Sequence, residues 1–345
     1  MYDFSSKPSA AWITVNRDCN FRCKWCYARD TGYTKDRVMS FNMACRLADI
    51  IKDLGIDNVM LIGGEPSMWS GLFDFNDYCK EIGLSSTIIT NAHLFGNDSY
   101  WEQYTMHPCD YAVASVKGVT DKQLKQIAGI SSADQTLVGI QRAIAFHPQS
   151  GIETVCSTMS SVEDLISIAK YSKAIGSKTF LVSACNVTLE GDLATTEYVM
   201  DDKLYMQTII DSHPYLDKLF NEGLQYHISL PYCLWPKEFV ERLISKNQLS
   251  GPCNVFDRSG IVFDYNGDIL FCNSIYDTVI ARFGVDFDSA SQILDSLNSE
   301  EMKAYYSEIL RFPADACTDC SINDMCRGGC IVNWMVMDPH ICNSI

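Results

Sequence analysis

No stretch of about 18 consecutive apolar residues occurs in the chain, so nothing in it has the length of a membrane-spanning helix. Met1 to Ser9 lacks the basic start and apolar segment of a secretory signal, which points to a soluble, cytoplasmic protein with no membrane partner. Basic residues are scarce, 27 Lys and Arg against 43 Asp and Glu, a net charge of −16. Phosphate backbones are held by clustered cations, so this balance argues against nucleic acid as a partner. Such a surface suits a basic peptide or a small cationic substrate, and equally an ordinary soluble exterior. Internal repeats and low-complexity tracts are also lacking. With 47% hydrophobic residues in 345, the chain can bury one large core and a smaller one.

Cysteine, by contrast, is plentiful. In a reducing cytoplasm 16 Cys are poor disulfide candidates, and the closely spaced ones read as metal or cluster ligands. Cys19, Cys23 and Cys26 form the run Cys-Asn-Phe-Arg-Cys-Lys-Trp-Cys directly after apolar Trp12 to Val15. Iron–sulfur clusters normally take four Cys, so three on one loop can hold three irons and leave the fourth for another ligand. Zinc is the alternative, with a fourth protein ligand in a structural site or a water in a catalytic one.

From Ala11 to about Ser183, β-branched runs alternate with helical patterns. The strands predicted are Trp12 to Val15, Asn58 to Ile62, Ser86 to Thr90, Tyr111 to Val116, Glu153 to Thr158 and Lys178 to Ser183. Met43, Leu47, Ile50, Ile51 and Leu54 recur at helical spacing after Ser40, and Ser160 with Glu163 reads as a capping box. The alternation implies a parallel sheet with ligand chemistry at its carboxyl ends, open or closed. Further on come a helix from about Asp201 to Asp211, an extended run from Gln225 to Pro231, and a boundary at Pro231 to Pro236. Ile261, Phe263 and Tyr265 alternate before Asn266-Gly267, a two-residue hairpin signal whose return strand ends at Cys272. Cys253, Cys272, Cys317, Cys320, Cys326, Cys330 and Cys342 make this end cysteine-dense; a zinc ribbon takes only four ligands and leaves three of them over.

The Cys19, Cys23, Cys26 triple, followed one β-α unit later by Gly63-Gly64-Glu65-Pro66, resembles the radical S-adenosylmethionine (SAM) enzymes. The resemblance implies a partial (β/α)6 TIM-like barrel, matching the six strands, with SAM on the free iron, Trp25 near its adenine and Gly63, Gly64, Glu65 and Pro66 at its methionine amino group. Strand-end residues such as Asn91, Ser115 and Thr158 would contact the SAM ribose or carboxylate, or the substrate; Lys117 and Arg142 are further carboxylate candidates. Reductive SAM cleavage to methionine and a 5′-deoxyadenosyl radical is the reaction implied.

The seven C-terminal Cys, with Gly267, reproduce the spacing of the SPASM module, which carries auxiliary clusters in one radical SAM subgroup. This divides the chain into a barrel with linking elements, residues 1–230, and a small cysteine-rich α+β auxiliary-cluster domain, residues 231–345. By the family pattern Cys253, Cys272 and Cys330 serve a nearer cluster and Cys317, Cys320, Cys326 and Cys342 a farther one, three [4Fe-4S] clusters in all. The nearer cluster then has an open iron or is closed by Cys233. Cys185, just after the sixth strand, is a candidate hydrogen donor.

The function so implied is a maturase that cross-links or oxidises a side chain of a ribosomally made peptide. It would need an external electron donor such as flavodoxin or ferredoxin and, since few residues precede the first strand, a separate leader-binding partner. Formylglycine formation of the sulfatase-maturase kind is an alternative, weakened by Asn273 where an Asp base is usual. Small-molecule dehydrogenation and peptide epimerisation are others, the last requiring a thiol such as Cys185.

Overall fold

The computed structural model describes residues 7–335 apart from 32, 191–192, 252, 256–257, 310–313 and 318; Cys342 lies outside the described residues. Six strands follow the sequence reading closely: β1 (Ala10–Asn16), β2 (Asn58–Gly63), β3 (Ser85–Thr90), β4 (Tyr111–Ser115), β5 (Gly151–Cys156) and β6 (Phe180–Ala184). Between and after them lie α1 (Phe41–Asp53), α2 (Leu72–Ile82), α3 (Asp98–Met106), α4 (Asp121–Ala128), α5 (Asp134–Phe146), α6 (Val162–Ala174) and α7 (Asp202–Phe220). In α1 the Ser40 hydroxyl accepts from Met43 N–H and caps the first turn, while Ala44, Leu47, Ala48, Ile50 and Ile51 form one buried face. The capping box of α6 is Ser161 with Asp164, one residue later than Ser160 with Glu163, because the Ser160 hydroxyl is engaged by the Ser157 N–H and the Val155 carbonyl. Helix α7 runs through Pro214 and past the expected end at Asp211; its buried face, from Tyr205 through Leu216 to Phe220, continues across the proline.

The remaining strands are β7 (Thr188–Glu190), β8 (Leu193–Thr195), β9 (Leu224–His227), β10 (Gly260–Phe263), β11 (Ile269–Cys272) and β12 (Ile275–Ala281). Strands β7 and β8 pair with each other, and the rest form one sheet in the order β12-β11-β10-β1-β2-β3-β4-β5-β6-β9. From β10 to β9 every pairing is parallel, whereas β10, β11 and β12 are antiparallel. The sheet thus has two edges and is an open, partial α/β barrel, extended at both ends beyond the six strands read from sequence. Local periodicity cannot reveal that Ala10 pairs with Gly260.

Beyond β9, the short α8 (Lys237–Ser245), α9 (Ala290–Leu297) and α10 (Glu300–Ile309) frame a cysteine-rich region. The β10–β11 hairpin is not turned by two residues. Gly267 N–H donates to the Asp264 carbonyl and Asp264 N–H to that of Asp268, so Tyr265 and Asn266 are the turn's central residues. Gly267, at φ 89°, supplies the left-handed position that follows such a turn. The hairpin is clamped to the barrel by Arg17, whose guanidinium, 1% exposed, donates to Asp264 at 2.6 Å.

Candidate active site

The loop after β1 carries Cys19, Cys23 and Cys26 and is braced by the turn after β2. Gly64 N–H donates to the Asn16 carbonyl (2.9 Å) and Glu65 N–H to that of Asp18 (2.8 Å), while the Asn16 amide returns a bond to the Glu65 carbonyl. A Cβ on Gly64 would lie 2.0 Å from the Asp18 carbonyl oxygen, and one on Gly63 2.4 Å from that of Asn16. These glycines are needed for contact with the cysteine loop itself, a reason beyond the close ligand approach that their sequence position suggests. Tyr27, just past Cys26, adds a hydroxyl bond to the Gly63 carbonyl.

Glu65 is spent inside this brace. Its carboxylate, 2% exposed, accepts from Ser67 N–H and hydroxyl, the Thr90 hydroxyl (2.5 Å) and Asn91 N–H (2.8 Å), which locks the end of β2 to the end of β3. Burial drives its pKa up, against four hydrogen bonds that favour the charged form. Asn91 in turn donates its amide to the Asn20 side chain at 2.7 Å, another tie from a strand end to the cysteine loop.

Above the strand ends opens a cavity of about 430 Å³. The predicted residues that line it are Cys19, Cys23, Cys26, Trp25, Gly63, Gly64, Glu65, Asn91, Ser115, Lys117 and Cys185. Pro66, Thr158 and Arg142 are not among the lining residues. Pro66 is buried at the start of the turn after Glu65, and Thr158 donates its N–H to the Tyr198 carbonyl. Arg142 belongs to a different face: its guanidinium donates to the Phe95 carbonyl (3.0 Å), pairs with Asp98 (2.5 Å) and lies over Trp101, because that side of α5 packs on the Phe95 turn and α3.

Sequence reasoning missed a polar floor. Sheet register sets Ser115 opposite Glu153 and Ser183 opposite His227, all four lining the cavity. Ser183 donates to Glu153 at 2.7 Å, and Lys117 bonds the Ser115 hydroxyl. Desolvation by the cavity walls holds the His227 imidazole below its usual pKa, with Glu153 pulling the other way. A carboxylate inside a β-branched strand, as Glu153 is, was the available signal. From the C-terminal region Asn273 and Ser274, directly after β11, complete the wall, and the buried amide oxygens of Asn186 and Asn273 lack a protein partner.

The three loop thiols fit a bound cationic group. Burial foremost pushes Cys23 up to about 12, opposed by Lys117, and burial with the nearby Glu65 raises Cys19 as well, so their thiolates need positive charge. The Phe21 N–H already points at Cys19 Sγ, at 3.3 Å. Three thiolates on one short loop match the donor type of an iron–sulfur cluster, which normally takes Cys ligands. Cys185, directly after β6 in the cavity wall, is pushed up to about 12 by burial and stays a thiol at neutral pH.

The C-terminal cysteines fall into two groups. Cys253, Cys272 and Cys330 pack on one small core with Val187, Phe271 and Val332, and Ser274 N–H donates to Cys272 Sγ at 3.4 Å. Cys317, Cys320 and Cys326 line a separate small cavity together with Cys233. The structure therefore sets Cys233 beside the farther group, in one cavity wall with Cys317, Cys320 and Cys326. Pro231 is what redirects it, by starting the short helical turn Tyr232–Leu234.

Residues 13–172 match the radical SAM superfamily. A probable GTP 3′,8-cyclase of Saccharolobus islandicus (strain M.14.25 / Kamchatka #1) is 28% identical over 134 residues, 38% of this chain and 42% of that protein. A GTP 3′,8-cyclase of Campylobacter jejuni (strain RM1221) is 26% identical over 177 residues, 50% of this chain and 54% of its own. The chain thus spans about half the length of these relatives. In fold, it is similar to Streptococcus suis SuiB bound to precursor peptide SuiA, with a TM-score of 0.67 at 17% identity, over 96% of this chain and 74% of that one. Native anSMEcpe with bound AdoMet gives 0.69 at 14% identity, over 94% and 89%. Both likenesses run through the cysteine-rich C-terminal region as well as the barrel. With the cysteine loop, its glycine brace and the open α/β barrel in place, residues 13–172 are similar to the radical SAM superfamily, and the chain shares its fold with SuiB and anSMEcpe.

Proposed function

We propose that this protein is a radical SAM enzyme that modifies a side chain of a ribosomally made peptide, by cross-linking or another oxidation, in the cavity above the strand ends. The observation that carries the reading is the shared wall: the loop of Cys19, Cys23 and Cys26 faces the same space as Asn273 and Ser274 of the C-terminal region. At about 430 Å³ the cavity falls within the range of ligand sites. A [4Fe-4S] cluster on the three loop thiolates, with SAM on its free iron, supplies when bound a radical able to remove a hydrogen atom from substrate.

The chain's own residues do the positioning. Trp25 offers an aromatic face beside Cys26, and the Asn186 and Asn273 amides offer unpaired acceptors. Glu153 and Lys117 hold opposite charges across the floor, so a basic side chain is drawn to one and a carboxylate to the other. The proposal includes two further clusters in the C-terminal region, an external one-electron donor such as flavodoxin or ferredoxin, and a separate leader-binding partner. Asn273 lies in the cavity wall but an amide cannot act as a base, which disfavours formylglycine formation. One observation favours a second reading, peptide epimerisation: the protonated Cys185 thiol in the wall can return a hydrogen atom.

The test is to incubate the reduced protein with SAM and candidate peptides and weigh the products. Loss of two hydrogens supports the maturase reading; unchanged mass with deuterium uptake from solvent transfers the assignment to epimerisation. Deoxyadenosine formed without any peptide change, across basic and acidic peptides alike, contradicts both.

A further inference from the structure

The link between barrel and C-terminal region is packed backbone on backbone against the last cysteine loop. Cys330 N–H donates to the Ser229 carbonyl (2.8 Å), and Tyr232 N–H donates to Cys326 Sγ (3.2 Å). A Cβ on Gly329, at φ +79°, would lie 2.2 Å from the Ser229 carbonyl oxygen, so only glycine allows this contact. The register of the link is thereby set, and the turn after Pro231 delivers Cys233 into the wall of the small cavity formed with Cys317, Cys320 and Cys326. Among the described residues no Asp, Glu or His lines that cavity, and its other walls are Pro231, Ile322, Asn323 and Gly328. Cys233 lies close enough to Cys317 and Cys326 to act on both electrostatically.

We propose that Cys233 is the fourth thiolate of the iron–sulfur cluster held by Cys317, Cys320 and Cys326, and that the group of Cys253, Cys272 and Cys330 keeps three. The proposal rests on the auxiliary-cluster reading given above and departs from the spacing-based assignment, which gives this place to Cys342. Among the described residues four soft donors surround one small space, the ligand count of a four-iron cluster, and the Tyr232 N–H is already aimed at one sulfur, a contact that stabilises a thiolate there. On loading, each thiol releases its proton to solvent and its thiolate binds one iron; the protein itself is neither oxidised nor reduced. A link that supplies a ligand would also fasten the farther cluster to the end of β9, so that the region could not swing away from the barrel without losing it.

The full-length chain, reconstituted anaerobically with iron and sulfide, can be alkylated with iodoacetamide before and after iron chelation, and each Cys mapped by mass spectrometry. Cys233 is expected to be protected with Cys317, Cys320 and Cys326 and to become reactive on chelation. The Cys233→Ala variant is expected to lose about four irons per chain and Cys342→Ala to lose none. Equal alkylation of Cys233 before and after chelation overturns the assignment, as does full iron retention by Cys233→Ala. Should Cys233→Ala fail to fold, the wild-type protection pattern decides alone. Protection of Cys19 without Cys233 overturns this ligand only; if neither is protected, the cluster reading fails with it.

Discussion

Cys19, Cys23 and Cys26 lie within one short loop and are braced by a turn from the next strand, whereas Cys233, Cys317, Cys320 and Cys326 meet only because distant segments fold onto one another. The first site is local and its support is backbone: Gly64 and Glu65 N–H groups bonded to the loop's carbonyls. The second depends on a glycine contact between the link and the last cysteine loop. The parallel pairing of β10 with β1 and the Arg17–Asp264 bridge join the barrel to the C-terminal region, alongside the backbone contact of Cys330 with Ser229. A site built locally can be read from spacing; one built by tertiary contact has to be seen.

Breaking the bridge should have the largest effect on stability. Arg17 is fully buried and Asp264 nearly so, so Arg17→Met is expected to cost about 3–5 kcal/mol, read by chemical denaturation, by leaving a buried carboxylate unpaired. If the two regions held together without it, the loss would stay below about 1 kcal/mol. Next comes Gly64→Ala, whose Cβ must push the Asp18 carbonyl aside; about 1–3 kcal/mol of destabilisation is expected, together with reduced iron retention at the first loop. The matching Gly329→Ala should spare that loop and loosen the farther cysteines, and equal iron loss from both sites in the two variants would erase the distinction between them.

Glu65→Gln sharpens the local half of the comparison. An amide NH₂ would face the Asn91 N–H, donor against donor, and cost about 1–3 kcal/mol, measured by thermal unfolding. The smallest effect is expected at the cavity floor. Glu153→Gln keeps the Ser183 bond while removing the charge, so KM for a basic peptide should rise roughly fivefold, about 1 kcal/mol, with kcat little changed.

Much of the barrel was legible because its strands are β-branched runs between amphipathic helices, and Ser40 and the Met43 to Leu54 pattern mark α1 as the structure has it. The first cysteine loop and its Gly-Gly-Glu turn were legible as local spacing. The hairpin before Cys272 was legible too, though its turn takes three residues, with Gly267 as the left-handed one. What stayed hidden is what depends on register between distant segments. Glu153, Ser183 and His227 look like scattered polar residues until β5, β6 and β9 align them. Arg142 looked available because a helix-face arginine carries no sign of the carbonyl and carboxylate that take it up. Cys233 was visible as a linker cysteine, but its neighbours depend on how Pro231 turns the chain.

The division of labour between the two regions is tested most directly by 5′-deoxyadenosine formation in Cys19→Ala and Cys272→Ala, each reconstituted, reduced and supplied with SAM. Cys19→Ala is expected to form none above the enzyme-free background, and Cys272→Ala to continue forming it while losing peptide modification. Deoxyadenosine at the wild-type rate from Cys19→Ala would contradict the assignment of SAM cleavage to the first loop.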